Sequence, residues 1–366
     1  PKLLEFVIND KEGVANTAIL WHGGRLLLLE EGHLPFAMDP DTLASSGAWD
    51  FYGKLKTRMT AHPKVDPVTG EMIFFCYMAD GFFDDGLGLY KVDADGFMTE
   101  SYQFKAPYCS MVHDFVVTEN YIAFPVLPLT GSLDRAMSGQ PSFAWEPDKP
   151  AYLGVMPRTG TPDDIQWLEA DPCYVFHFMN AYDRDGVITL ECCHFDAPPL
   201  FPMVDGTATG IIHPRMNRWV IDLNAEQPRV HQSCIGENGA EFPVIDPRYA
   251  MAEYTHGWFT STDRKLPARI PDSDWVYNTI EHFNVKTGAV DRYSFDNGYV
   301  AEPMFVPRSD TSAEGEGYVL DVVYNQDTNT SDMCVFDAQD ISAGPVGRAK
   351  VSHRVPVSFH GTWKAA

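Results

Sequence analysis

The stretch D-P-V-T-G-E-M-I-F-F-C-Y-M, residues 66–78, decides the fold class. A polar, glycine-bearing connection is followed directly by a short run of apolar and aromatic residues, which is the pattern of a tight turn that leads into a β-strand. The pattern returns in D-A-D-G before 97–104, in T-E-N before 121–126, in D-R-D-G before 187–192 and in K-T-G before 289–295. We therefore predict an all-β protein of short, hairpin-connected strands.

Chain length and composition extend this prediction. The 28 glycines and 27 prolines are spread along the chain and would interrupt long helices. A propeller blade of four strands takes about 40–50 residues, so 366 residues suit a propeller with diverged blades. No shift in composition divides the chain, and we expect residues 1–366 to form a single domain. Two long loops, 129–150 and 197–210, are expected to border a site.

The charge balance restricts the class of partner. There are 27 Lys and Arg against 51 Asp and Glu, a net charge of −24, which argues against nucleic acid and anionic membrane surfaces. No window approaches the roughly 18 uninterrupted apolar residues of a transmembrane helix. The seven cysteines are scattered and form no C-x-x-C pair, which is typical of reduced thiols and predicts a cytoplasmic protein.

Four of the twelve histidines lie beside apolar residues or proline at expected strands or strand ends: His62, His113, His177 and His360. Their spacings are 113 − 62 = 51, 177 − 113 = 64 and 360 − 177 = 183. If a blade with its loops takes about 50–60 residues, these are one, one and about three blades apart, which could bring four imidazoles to the propeller axis. Such a set suits Fe(II), Cu or Zn. A lone histidine is more often an ordinary core or surface residue, and that interpretation stays open.

Carboxylates commonly hold metal-binding histidines through the second ring nitrogen. Glu31, Glu241 and Glu302 lie in apolar or proline-rich settings and are candidates, although a solvated acid is the commoner role. The run E-C-C-H at 191–194 is interpreted as packing, because adjacent side chains on a strand point to opposite faces. The acidic stretch 80–85 lacks the spacing of an EF-hand and is expected to be a solvated turn. Hydrolase, NTPase and dinucleotide-binding motifs are absent from the sequence.

Several longer motifs occur in order along the chain: G-V-A-N-T (13–17), L-L-L-L-E-E-G-H-L-P-F-A-M-D-P-D-T-L (26–43), T-A-H-P-K-V-D-P-V-T-G-E-M (60–72), M-V-H-D-F-V-V-T-E-N-Y-I-A-F (111–124), E-F-P-V-I-D-P-R-Y (241–249), A-E-P-M-F-V-P-R (301–308), E-G-E-G-Y-V-L (314–320) and F-H-G-T-W (359–363). In these motifs the chain resembles the carotenoid cleavage oxygenases and, within them, the lignostilbene dioxygenase branch. The resemblance runs from about residue 13 to residue 363.

The resemblance implies a seven-bladed β-propeller that holds one non-haem Fe(II) and cleaves a conjugated C=C bond with O₂ into two carbonyl products. It implies that the iron ligands are His62, His113, His177 and His360, and that Glu31, Glu241 and Glu302 hold three of these rings. It also implies that the methyl group of Thr17 narrows the approach to the sixth coordination position. No catalytic side chain is expected beyond the iron centre.

Two departures from the family pattern qualify this expectation. Members usually begin with a longer N-terminal segment, so we expect that segment to be missing from this chain. Lignostilbene-cleaving members carry a lysine that contacts the substrate phenol just before the first of the three glutamates. Here that position is Glu30, an acid that cannot serve as the cationic partner of a phenolate, although it remains a candidate substrate contact.

The leading hypothesis is therefore an Fe(II)-dependent dioxygenase that acts on a stilbene-like aryl alkene and gives two aldehydes. An apocarotenoid-cleaving oxygenase is the alternative within the family. A non-catalytic propeller that serves as an interaction module is the alternative of a different class. The expected partners are a small hydrophobic alkene and O₂, without nucleic acid, and a homo-oligomer is left open.

Overall fold

The computed structural model describes residues 13–237, 239–266, 276–356 and 358–364. These residues form six antiparallel sheets of four or five strands, which we number as blades 1 to 6 in chain order, and one further sheet of two strands. In blades 1 to 5 each strand pairs with the next strand of its blade, as hairpin connections dictate, whereas in blade 6 both β23 and β24 pair with β25.

The strands of the six blades have the following bounds. Blade 1 contains β1 (Ala18–His22), β2 (Arg25–Leu29), β3 (Phe36–Met38) and β4 (Ser45–Ala48). Blade 2 contains β5 (Lys64–Val65), β6 (Met72–Tyr77), β7 (Gly86–Val92) and β8 (Met98–Lys105). Blade 3 contains β9 (Val116–Val117), β10 (Tyr121–Val126), β13 (Ala151–Pro157) and β14 (Gln166–Ala170). Between β10 and β13 lie β11 (Leu129–Gly131), the short helix α1 (Leu133–Met137) and β12 (Phe143–Trp145).

The second half of the chain continues in the same way. Blade 4 contains β15 (Tyr174–Arg184), β16 (Val187–Phe195), β17 (Arg215–Asp222) and β18 (Val230–Gly236). Blade 5 contains β19 (Glu241–Ile245), β20 (His256–Ser261), β21 (Thr279–Asn284) and β22 (Val290–Ser294). Blade 6 contains β23 (Gly298–Tyr299), β24 (Met304–Pro307), β25 (Gly317–Asn325), β26 (Thr330–Asp337) and β27 (Gly347–Lys350). Three single 3₁₀ turns cover Pro162–Asp164, Pro247–Tyr249 and Ile341–Ala343.

The turn that opens the deciding stretch shows why these hairpins form. Asp66 Oδ1 accepts hydrogen bonds from the N–H groups of Val68 and Thr69, at 2.8 and 3.2 Å. Gly70 closes the turn with φ of +73°, a conformation that glycine adopts without steric cost. The strand β6 then follows within one residue of the predicted bounds, and the four other predicted strands also appear as β8, β10, β16 and β22.

The core lies between blades rather than in one central mass. Five clusters of buried apolar side chains each join two consecutive blades, from blades 1 and 2 through to blades 5 and 6. The strands β6 and β7 of blade 2 are buried at every position, whereas β8, at the outer edge, alternates between half-buried and exposed residues. A strand covered on both faces loses the period-two pattern, which explains why M-I-F-F-C-Y reads as a continuous apolar run.

The all-β propeller is confirmed, but the expected seven blades are not, since the described residues form six. Dividing 366 residues by six blades gives 61 residues for each blade with its connections. This is more than the strands of a blade alone require. Much of this excess lies in the connections, among them the insertion of β11, α1 and β12 into blade 3.

Other expectations can be compared directly with the structure. All seven cysteines are free. Cys192 and Cys193 are buried in different clusters, on opposite faces of β16, as adjacent strand residues must be. None of the described helices is long and apolar enough to cross a membrane.

Candidate metal centre

The structure brings His62, His113, His177 and His360 together at the point where the first strands of the blades converge. One nitrogen from each ring lies within 4.8 Å of the other three. Ring centroids of neighbouring members are 4.5 Å apart for His62 and His113, and 4.8 Å apart for His177 and His360. His62 Nε2 and His113 Nε2 are separated by 2.9 Å.

Each ring comes from a different part of the fold. His62 and His113 precede β5 and β9, the first strands of blades 2 and 3, and His177 lies within β15, the first strand of blade 4. His360 belongs to the C-terminal segment, whose backbone N–H donates to the carbonyl of Thr17 at 3.0 Å, directly before β1. His62, His113 and His177 thus lie at or within the first strand of a blade, as their spacing suggests, whereas His360 lies outside the described strands.

Three carboxylates contact the outer nitrogens of three rings. Glu31 contacts His113 Nδ1 and Glu241 contacts His177 Nδ1. Glu302 Oε1 lies 2.7 Å from His360 Nδ1, and its Oε2 accepts from the N–H of Gly361 at 2.9 Å. Such contacts fix the ring tautomer, so that the other nitrogen of each ring carries its lone pair toward the centre of the cluster.

Tyr77 holds Glu31, the first of these carboxylates, although no sequence motif indicated this role for the tyrosine. Its hydroxyl donates to Glu31 Oε2 at 2.8 Å. Tyr77 ends β6, and nothing in the apolar run 72–78 distinguishes it from a core tyrosine. Only the position of the turn after β2, which carries Glu31 across to blade 2, makes this contact possible.

Burial controls the protonation of the cluster. Burial, together with the neighbouring rings, holds the pKa values of His62 and His177 well below the usual value. Burial also raises the pKa of Glu241 to about 8. At His113 burial acts to lower the pKa, but the charge and hydrogen bond of Glu31 outweigh it and the pKa is raised. His62 and His177 are therefore held in the neutral form, whereas Glu31 favours the protonated form of His113.

The donor set fits a divalent transition metal. His177 Nε2 is fully buried and has no hydrogen-bond partner among the described residues, which is costly unless something binds it. Four imidazole nitrogens without an inner carboxylate are typical ligands of Fe, Cu or Zn and not of Ca or Mg. A dication at this point would also place positive charge next to Glu31, Glu241 and Glu302.

A cavity of about 680 Å³ opens onto the histidine cluster. Its wall is mainly apolar and aromatic, and the residues that line it include Met111, Phe176, Leu200, Phe201, Phe242, Val276, Tyr277, Tyr299, Val300, Tyr324, Val355 and Phe359. The predicted border loop 197–210 contributes Leu200 and Phe201. The loop 129–150 contributes no lining residue and folds instead as β11, α1 and β12, so its prediction as a border of the site was wrong.

Two further predicted residues, Thr17 and Glu30, also line the cavity. Thr17 is fixed by its backbone, which donates to Leu29 and accepts from His360, each at 3.0 Å. Glu30 is buried, and its Oε1 accepts from the N–H groups of Val14 and Ala15, at 2.7 and 3.4 Å. Within the described part of the chain no hydrogen bond reaches Glu30 Oε2.

The acidic stretch and the E-C-C-H run lie outside this cluster. Asp80 and Asp85 bind Lys105 Nζ at 2.8 and 2.9 Å on the surface. Glu191 binds Arg218 Nε and the hydroxyl of Tyr254, at 2.7 and 2.8 Å. These contacts agree with the predictions of a solvated turn at 80–85 and of a packing role for the run 191–194.

Comparison with known proteins gives a consistent result. The family described as retinal pigment epithelial membrane protein, RPE65, matches residues 2–365. Isoeugenol monooxygenase of Pseudomonas nitroreducens is 36% identical, and the alignment covers 96% of this chain and 75% of that protein. Lignostilbene-α,β-dioxygenase isozyme III of Sphingomonas paucimobilis is also 36% identical, over 97% of this chain and 75% of that protein.

Solved structures agree with the sequence comparison. The crystal structure of Pseudomonas brassicacearum lignostilbene dioxygenase superposes with a TM-score of 0.91 at 35% identity, and the match covers 95% of this chain and 75% of that one.

Proposed function

The chain belongs to the RPE65 family of carotenoid oxygenases, and from this membership we propose that it is a non-haem Fe(II)-dependent dioxygenase that cleaves a stilbene-like aryl alkene. The reaction consumes O₂ and converts one conjugated C=C bond into two aldehydes. The observation that carries the proposal is a cluster of four histidines at the end of a mainly apolar cavity. The similar enzymes are themselves named for oxidative action on isoeugenol and lignostilbene.

In this proposal His62, His113, His177 and His360 hold the iron. When bound, the ferrous ion supplies the redox chemistry that activates O₂ toward an electron-rich alkene. Glu31, Glu241 and Glu302 keep the rings neutral at the metal-facing nitrogen and oriented toward it. Four neutral ligands leave the ion its full charge, which the three carboxylates balance from outside.

The cavity wall binds and orients the alkene. Phe176 packs against the ring of His113, and Phe242 packs against the ring of His177. The ring centroids are 5.2 Å apart in both pairs. A flat conjugated substrate that fills this space would exclude water from the reacting bond. Thr17 lies beside His360 at the same end of the cavity, where its methyl group would restrict access to one face of the ion.

Glu30 is proposed as an acceptor for a substrate hydroxyl. Its Oε1 is occupied by backbone N–H groups, whereas its Oε2 is free to accept a hydrogen bond from a neutral phenol. A phenolate would be repelled by this carboxylate. We therefore propose that the chain binds the protonated form of a phenolic aryl alkene.

A seventh blade and a cytoplasmic location remain parts of the proposal. Each of the five core clusters joins two consecutive blades, and none of the five joins blade 6 to blade 1 in the described residues. A further sheet between blades 6 and 1 would close the ring. The seven free cysteines favour a reducing compartment.

The test is to incubate the iron-loaded protein under ¹⁸O₂ with stilbenes, isoeugenol and apocarotenoids, and to identify the labelled aldehydes. We expect about one iron per chain and O₂ uptake only with an alkene, with faster turnover of a 4-hydroxystilbene than of its 4-methoxy analogue. Apocarotenoid aldehydes alone would move the activity to the other substrate class. A protein that binds no iron would instead be an interaction module.

The variant His62→Ala tests the ligand set. It removes one of the four nitrogens without touching the three carboxylates, and we expect iron content and O₂ uptake to be lost together. Lys105→Ala, at an exposed ion pair far from the cluster, serves as the control and should retain both. Full iron occupancy in His62→Ala would refute the ligand assignment.

A further inference from the structure

The aspartate that follows His113 is buried at a junction of three blades. Asp114 is 1% exposed. Its Oδ1 accepts from Lys64 Nζ at 2.7 Å and from the N–H of Phe115 at 2.8 Å. Its Oδ2 accepts from the N–H of Phe178 at 2.9 Å.

These partners are next to three of the four histidines. Asp114 directly follows His113, Phe178 directly follows His177, and Lys64 lies two residues after His62. One carboxylate therefore joins the first strands of blades 2, 3 and 4 at the positions where each strand delivers its imidazole. The fourth ring, on the C-terminal segment, is held separately through Thr17 and Glu302.

We propose that Asp114 and Lys64 are positioning residues that set the relative placement of His62, His113 and His177 before a metal binds. This inference rests on the proposed function only in taking those rings as metal ligands. A buried charge pair of this kind is directional, because donors already occupy both carboxylate oxygens. None of the three blades can therefore shift without losing a bond. The preorganised cluster then binds the ion without first having to bring three blades into register.

The variant Asp114→Asn tests this role. An asparagine has only one acceptor oxygen, so in either orientation its NH₂ group would face a donor, Lys64 Nζ on one side or the Phe178 N–H on the other. We expect the affinity of the metal-free protein for Co(II) to fall about 10- to 100-fold, the range typical of residues that orient metal ligands. The d–d absorption of the bound Co(II) should change as well, because the rings are no longer fixed.

A matched control exists at a second ion pair between blades 2 and 3. Asp66, after β5, accepts from Val68 and Thr69 through Oδ1 and from Arg158 Nη2, after β13, through Oδ2 at 2.6 Å. Asp66→Asn likewise turns an NH₂ group toward a donor and weakens an ion pair between blades 2 and 3, but it touches no histidine. We expect it to lower the melting temperature and to leave Co(II) affinity and absorption unchanged.

The outcomes are distinguishable. Asp114→Asn with the Co(II) affinity and absorption of the wild type, or Asp66→Asn with an equal loss, would overturn the positioning role. Wild-type protein that binds no Co(II) would overturn the proposed function itself. If Asp114→Asn does not fold, the variant Lys64→Met replaces it, because the side chain of Lys64 is 26% exposed. Weaker Co(II) binding by Lys64→Met than by Asp66→Asn supports the proposal. Equal Co(II) binding by the two variants refutes it.

Discussion

Single residues near the cluster differ sharply in how their charge is supported. Asp114 has donors on both oxygens. Asp321, on β25, is also buried, but within the described ranges its Oδ1 accepts only from the N–H of Ala301, at 2.9 Å, and its Oδ2 has no partner. Burial therefore raises the pKa of Asp321 well above the usual range, and the nearby Glu302 adds to this effect.

We predict that Asp321→Asn stabilises the protein in a pH-dependent way. An acid whose pKa is raised on folding costs nothing below its unfolded pKa of about 3.9, and the cost grows as the pH rises toward the folded pKa. The neutral asparagine removes that cost while keeping the acceptor for Ala301. The melting temperature of the variant should exceed that of the wild type by more at pH 8 than at pH 5. A difference that stays the same between pH 5 and pH 8 would show that Asp321 is already ionised in the folded protein at pH 5, and would contradict the prediction.

Elements of the fold differ in how far the sequence determined them. The strand β10 was predicted with its bounds, because T-E-N ahead of it and an unbroken apolar run after it are both local signals. The spacing of His62, His113 and His177 indicated that these rings could meet, because each sits at the first strand of a blade. Their proposed role as metal ligands came from the family resemblance. These features depend only on short stretches of chain and on regular repetition.

Features that depend on contacts between distant elements could not be predicted. Tyr77 and Glu31 meet only because the connection after β2 reaches blade 2. The cavity wall combines Phe176 of β15, Tyr277 before β21 and Phe359 of the C-terminal segment. Each reads locally as an ordinary apolar or aromatic position. The number of blades was also beyond the reach of composition, because connections of variable length make residues per blade an unreliable count.

The C-terminal segment carries His360, the fourth proposed ligand. A chain that ends after Phe359 loses the His360 ring and the two backbone bonds to Thr17 and Glu302. We predict that it purifies with much less iron than the wild type and binds Co(II) at least about tenfold more weakly. A chain that ends after Thr362 is the control, because it keeps both bonds. Among the described residues it loses the exposed Trp363 and Lys364, which contacts Trp21 at 4.4 Å. Equal metal content in the two truncated chains would contradict the prediction.

In the molecule as a whole, each core cluster joins two consecutive blades. The proposed ion would instead link three blades and the C-terminal segment at one point. Its four ligands come from blades 2, 3 and 4 and from the segment that lies beside β1. A ligand that binds only the folded state stabilises it, by about 2.7 kcal/mol at a free concentration of 100 times its Kd. For a chain of 366 residues this corresponds to a rise in melting temperature of about 3–4 °C.

We predict this rise when Co(II) is added to the metal-free protein without oxygen, measured by differential scanning calorimetry. The net charge of −24 makes a control necessary, because any divalent cation screens the repulsion between surface carboxylates. Ca(II) at the same concentration measures that general effect, since four imidazoles do not suit it. The specific part, Co(II) minus Ca(II), should vanish in His62→Ala. A specific rise that persists in this variant would mean that the stabilising ion binds elsewhere in the protein.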